Sequence, residues 1–247
     1  MDFYNLGMAG LFIFLGSFFA TVSGFGFALV STPLLALIMP LKWAIVFILV
    51  LTVLLRVLTM YRVWGEFSWG AVLWTTVGSF VGMLPGSKVL RLIEIAHLQI
   101  FLGVVLLLAT LLMSLQYTVP IKNKLLGRLG AGFLSGFFGA STSVSGPPLV
   151  LYFLNEKTDK TEMRANMIWI FGLTGVLMVG AAYWAGNIGA VDDWSYLYTM
   201  IPATFIGVLA GERMFRYLNQ QLFRRLSLGI VLVGAVMMLV SGVRAVL

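Results

Sequence analysis

Apolar runs long enough to cross a lipid bilayer recur along almost the whole chain, and few folds survive that constraint. A helix needs about 20 predominantly apolar residues to span the hydrocarbon core. Such runs lie at about 6–38, 41–61, 68–86, 96–116, 125–154, 163–184, 194–211 and 221–245. Of the 247 residues 60% are apolar and 10% charged, whereas a soluble domain carries roughly 25% charged residues. A water-soluble core of this length could not bury so many Phe, Leu, Val and Ile side chains, so lipid is the expected solvent. The polar stretches between the runs are too short for a separate soluble domain. The expectation is an all-α polytopic membrane protein with about eight transmembrane helices in one membrane domain.

The net charge of +7 would suggest nucleic acid in a soluble protein. Here the cations sit in short loops beside apolar runs, as the positive-inside rule requires, so nucleic acid is not an expected partner. Cysteine is absent, which excludes disulfides and thiolate metal sites. No basic stretch precedes the first apolar run, so Gly7 to Ala20 reads as part of a membrane segment and not as a cleaved signal peptide. Lys88 and Arg91, Lys157, Lys160 and Arg164, and Arg213, Arg216, Arg224 and Arg225 mark three basic loops. The loop at 185–193 carries Asp192 and Asp193 and no cation. With eight crossings the basic loops face the cytoplasm and both termini lie outside; Lys122, Lys124 and Arg128 disagree with that assignment.

The chain also resembles itself. A shift of 115 positions puts Phe18 on Phe133, Gly24 on Gly139, Pro33 on Pro148 and Leu34 on Leu149. A shift of 122 puts Lys42 on Arg164 and Tyr61 on Tyr183, and one of 125 puts Phe80 on Phe205, Gly82 on Gly207 and Gly86 on Gly211. The matches keep their order, so residues 1–120 and 121–247 read as two homologous four-segment repeats. The first segment of each, 6–38 and 125–154, is too long for one straight span and is interrupted by Gly, Ser, Thr and Pro. If each interrupted segment is a hairpin, a half has five crossings, ten in all, and the repeats are inverted; both arrangements occur among transporters.

Paired Gly/Pro-interrupted segments point to a transporter's binding site. Broken backbone at membrane depth survives only inside protein or along a watery cavity. A half-helix starting there aims free N–H groups and a positive dipole end at the gap, which suits an anion. The candidate ligands in the first break are Gly24, Phe25, Gly26, Ser31, Thr32 and Pro33. In the second they are Gly139, Ser141, Thr142, Ser143, Ser145, Gly146 and Pro147, where hydroxyls add donors without charge. The bland alternative is kinks and close helix contacts, since Gly and Pro are common in membrane helices.

Arg56 is the one charge well inside an apolar run. It marks either a functional site or a side chain that snorkels to the interface. Lys42 and Arg164 read as cytoplasmic anchors, and Asn166 as a cap or lining of the cytoplasmic mouth. Gly78, Gly82 and Gly86, echoed by Gly207 and Gly211, form a small-residue ladder for close packing. Trp64, Trp69, Trp74, Trp184 and Trp194 read as interfacial anchors. All nine acids, Glu212 included, fall in or beside the expected loops. That leaves no buried carboxylate for a proton relay or a hard-cation site, and an anionic substrate becomes the better reading. The sole histidine, His97, has no carboxylate aligned with it, and no serine is paired with a buried base as an intramembrane hydrolase would need.

The stretch Gly24-Phe25-Gly26 running to Pro33-Leu34, its counterpart Gly136-Phe137-Phe138-Gly139 running to Pro147-Pro148-Leu149, and Pro202-Ala203-Thr204-Phe205-Ile206-Gly207 leading to Gly211 resemble the sulfite exporter TauE/SafE family of bacterial membrane permeases. The resemblance implies export of small sulfur-containing anions, such as sulfite or organosulfonates, across the bacterial inner membrane, coupled to an ion gradient. The functional expectation is a secondary transporter that binds its anion between the two broken helices near the membrane midplane, with a passive anion channel as the alternative. The expected partners are a small anion, the lipid bilayer and a coupling ion (proton or sodium), in an assembly that could be a homodimer. No cofactor, metal or catalytic residue is expected.

Overall fold

The fold is given by a computed structural model that describes residues 3–92, 95–115, 120–142, 145–184, 191 and 193–246. Ten α-helices are described: α1 Phe3–Ser23, α2 Phe27–Leu35, α3 Leu41–Met60, α4 Trp69–Leu92, α5 Ile95–Ser114, α6 Lys124–Thr142, α7 Gly146–Asn155, α8 Lys160–Trp184, α9 Leu197–Tyr217 and α10 Gln220–Val246. No strand occurs among the described residues. Each expected apolar run is helical, and the first and fifth are each split into a long helix and a short one. Among the described residues four stretches are long and apolar enough to cross a membrane: Tyr4–Ser23, Trp43–Val63, Lys160–Gly180 and Gln220–Arg244.

The helices form two compact units, Met1–Phe67 with Arg164–Leu218 and Ser68–Met163 with Asn219–Leu247. Both draw residues from before and after Pro120.

In the first unit α1 lies along α9. Small residues allow the approach. A Cβ at Gly207 would stand 2.7 Å from Ser17 Cβ and 2.8 Å from Phe14 O, and one at Gly211 would stand 2.8 Å from Thr21 Cβ and 2.9 Å from Phe18 O. Because 207 meets 14 and 211 meets 18, the two helices run parallel. Helix α3 runs antiparallel to α8, since Gly172 faces Arg56 and Met60 while Gly175 faces Thr52. Phe12, Ile13, Phe27, Leu35, Phe47, Leu51, Leu55 and Met200 fill the core among these helices.

In the second unit α4 and α6 make the most extensive contact. A Cβ at Gly78, Gly82 or Gly86 would overlap the carbonyls of Leu129, Phe133 and Phe137 respectively, and one at Gly132 or Gly136 would overlap those of Thr75 and Ser79. The constant offset makes this pair parallel too. Helices α5 and α10 are antiparallel: Gly103 meets Ala235 and Leu239, while Arg224 Nη2 donates to Met113 O at 2.7 Å.

Helix α4 turns Leu73, Val77, Phe80, Val81 and Leu84 outward and its glycines inward. Large apolar residues outside and small ones inside reverse the pattern of a soluble helix and suit a lipid surround.

Candidate functional site

The first break begins where α1 ends. Ser23 Oγ lies 2.7 Å from Phe19 O and 2.9 Å from Phe25 O, so one hydroxyl ties the last turn of α1 to the linker. Gly24 (φ 84°) and Gly26 (φ 90°) then adopt left-handed backbone, which costs an L-residue about 1–2 kcal/mol. Phe25 between them is buried and anchors the turn. Helix α2 doubles back along α1, so that Phe27 and Ser31 both meet Gly16. Gly26 caps α2 without a side-chain hydrogen bond. The N–H groups of Phe27, Ala28 and Leu29 therefore have no intrahelical acceptor. Ser31 Oγ is buried and without a hydrogen-bond partner, Thr32 is half-buried, and Pro33 lies within α2.

Helix α8 holds this turn in place. A Cβ at Gly24 would stand 2.9 Å from Arg164 O and 3.3 Å from Met167 Cβ. Arg164, expected to be an anchor at the membrane surface, is instead 3% exposed. Its Nε donates to Thr21 O at 2.6 Å, its Nη2 donates to Glu212 Oε1, and its guanidinium stacks 4.2 Å from the Phe215 ring centre. Glu212 corrects a second expectation. Helix α9 runs on to Tyr217, past the expected end at 211, and carries that carboxylate inside the unit at 12% exposure. Asn166 is fully buried within α8, not at an exposed mouth.

Arg56 does not snorkel. It is 3% exposed, its Nε and Nη1 have no hydrogen-bond partner, and its guanidinium lies 5.5 Å from the Phe171 ring centre. Arg164 and Met167 of α8 touch the break, and Phe171 touches Arg56. Met167 and Phe171 are one turn apart, about 6 Å at 1.5 Å per residue. The unpaired guanidinium and the break thus share one face of α8.

The second break is made differently, and it falls later than its glycines suggest. Helix α6 continues through Gly136 and Gly139, both buried, as far as Thr142. Gly136 serves the α4 contact instead. Ser141 Oγ donates to Phe137 O at 2.8 Å, within its own helix. Ser143 and the Thr142 side chain lie outside the described residues. Helix α7 starts at Gly146-Pro147-Pro148, with Ser145 as an N-cap that makes no side-chain bond. Proline carries no N–H, so among its first three residues α7 offers the N–H of Gly146 alone. Ser135 Oγ donates to Ser145 O at 2.8 Å, and Tyr152 packs on Gly127, so α7 doubles back along α6. The two breaks fall in different compact units. Among the described residues no group of three or more His, Cys, Asp or Glu could hold a metal.

Of the expected ligands, Gly24 and Arg56 meet the same face of α8, while Ser31 lies against Gly16 of α1. The described ones of the second are strung along α6 and α7, with the Ser141 hydroxyl spent on backbone. Arg164, Glu212, Ser23 and Ser135 were missed as site-building residues. The one available signal was the small-residue register that sets α1 on α9.

The family model of the sulfite exporter TauE/SafE matches residues 9–238. The probable sulfite/organosulfonate exporter TauE of Cupriavidus necator is 26% identical over 235 residues, covering 91% of this chain and 90% of that protein. No solved structure matches significantly. Apolar helices, lipid-suited surfaces and this match describe a multi-pass membrane transporter. The chain belongs to the sulfite exporter TauE/SafE family.

Proposed function

We propose that the protein is a secondary transporter that exports small sulfur-containing anions, such as sulfite or organosulfonates, across the bacterial inner membrane. The anion is held in the first unit by the Gly24–Gly26 turn, the free N–H groups of α2 and the guanidinium of Arg56. One observation carries this reading: Arg56 is buried with two N–H donors unpaired, one turn along α8 from the Gly24 turn that leads into α2. A buried, uncompensated cation costs several kcal/mol and marks a ligand pathway inside a membrane protein. An oxyanion supplies both the missing charge and the missing acceptors. The second break contributes less to the anion, because its prolines remove donors.

The directions within each unit support ten alternating segments, five in each half (1–120 and 121–247), with opposite sense. Alternation over ten segments makes α1 and α9 parallel, α4 and α6 parallel, and both α3–α8 and α5–α10 antiparallel, as observed. Eight simple crossings would make the last two pairs parallel. Ten segments keep both termini outside and bring Lys122, Lys124 and Arg128 to the basic cytoplasmic side, leaving Lys42, Lys88, Arg91 and Arg244 as the exceptions.

Purified protein in proteoliposomes tests the function. A carrier should take up labelled sulfite or methanesulfonate with saturation and show counterflow when unlabelled anion is inside. Large unitary anion currents without counterflow would make it a channel, and no flux of either anion would end the reading.

A further inference from the structure

The charges inside the first unit do not cancel. Among the described side chains of its helices, three charged groups are buried or half-buried: Arg56, Arg164 and Glu212. Arg164 and Glu212 neutralise each other as an ion pair. Arg62 and Glu66 also act on Arg164, but both are exposed and of opposite sign. Arg56 has no such counter-charge; the charged group acting on it is Arg164, which is also a cation. A guanidinium stays protonated inside a protein, so among the described side chains the interior of these helices carries one uncompensated positive charge.

We propose that this balance makes the site complementary to a single negative charge and lets the membrane potential alone drive export, with no co-transported proton or sodium. The inference rests on the reading of Arg56 as a ligand of the transported anion. A monoanion on Arg56 renders the loaded site neutral, so its outward step does not feel the field. The empty site is positive, and a negative interior draws it back inward. Each cycle then moves one negative charge out. A dianion would leave the loaded site negative inside low-dielectric surroundings and is disfavoured by the same desolvation argument. Glu212 sets this preference through Arg164: without its charge, the site would hold two positive charges and no counter-charge.

The test uses the wild-type protein in proteoliposomes under a potassium diffusion potential, with labelled methanesulfonate as the monoanion and sulfate as the dianion. Methanesulfonate should accumulate on the positive side by roughly 50-fold for each 100 mV, the equivalent of one charge. Imposed proton or sodium gradients at zero potential should produce no accumulation. Glu212→Gln should shift the preference from methanesulfonate toward sulfate by about tenfold or more, the size of one charged hydrogen bond. Should that variant not fold, the wild-type result decides alone. Methanesulfonate flux that follows a proton or sodium gradient, ignores the potential, or is matched by sulfate in wild type overturns the charge inference and leaves the export reading intact. No binding or flux of methanesulfonate, sulfite or thiosulfate would overturn both.

Discussion

The break between α1 and α2 is made by glycine, whereas the break before α7 is made by proline, and the two choices leave different chemistry behind. Gly24 and Gly26 reverse the chain in three residues through left-handed backbone and leave three N–H groups at the start of α2. Pro147 and Pro148 preset the φ of the first turn of α7 and remove two of its three N–H groups. The glycine turn is clamped by the backbone of α8 at Arg164, and the proline turn by one hydroxyl, from Ser135 to Ser145 O. The first break is thus a donor-rich turn held by tertiary packing, and the second a donor-poor turn held locally. Two Gly/Pro-interrupted segments of one chain need not keep equivalent duties.

The largest test of this contrast concerns the helices behind each break. Gly136→Ala drives a Cβ into Ser79 O, backbone against backbone, with nothing flexible to yield. It should cost about 3 kcal/mol, the upper end of overpacking, read as a large fall in the melting temperature of the detergent-solubilised protein. Gly207→Ala, whose Cβ would stand 2.7 Å from Ser17 Cβ and 2.8 Å from Phe14 O, a shallower overlap, should cost clearly less. Equal losses would show that the two units are not packed in different ways.

Arg56→Leu comes next. Losing two charged hydrogen bonds of about 1.5–3 kcal/mol each should weaken anion binding by at least about a hundredfold, while thermal stability holds or rises because a buried charge is gone. Arg56→Lys should fold and transport poorly, since an ammonium lacks the planar pair of donors. Near wild-type transport by Arg56→Leu would remove the guanidinium from the site and with it the advantage of the first break. Gly26→Ala should cost about 1–2 kcal/mol through φ alone, and an unchanged melting curve would mean that the turn is not left-handed in solution. The smallest effect is expected for Ser135→Ala, about 1 kcal/mol from the carbonyl of Ser145. A larger loss, or loss of transport, would make the second turn more than a local structure.

The helices and the first break were legible because they rest on short-range signals. Apolar runs set the helices, and two glycines flanking one buried phenylalanine set the turn. The second break was legible only as a region. Gly139 looked like the partner of Gly24, but glycine breaks a helix only where φ turns positive or hydrogen bonds fail, and neither happens before Thr142. The Arg164–Glu212 pair was hidden for another reason. It joins residues 48 positions apart, and each lies near a helix end, where a charge ordinarily reaches water. What buries them is the parallel packing of α1 on α9, which no local pattern around either residue reveals.

The interlocked glycines of α4 and α6 have a mechanical consequence. Carbonyls of one helix sit in the notches left by glycines of the other, repeated every four residues on both sides. Sliding by less than four residues, about 6 Å, would lift each carbonyl out of its notch and onto a neighbouring side chain. The pair therefore has no soft shear coordinate and should move as a single beam. Within its unit, bending must be taken up elsewhere, along α5 and α10, where Gly103 meets the yielding side chain of Leu239 as well as backbone.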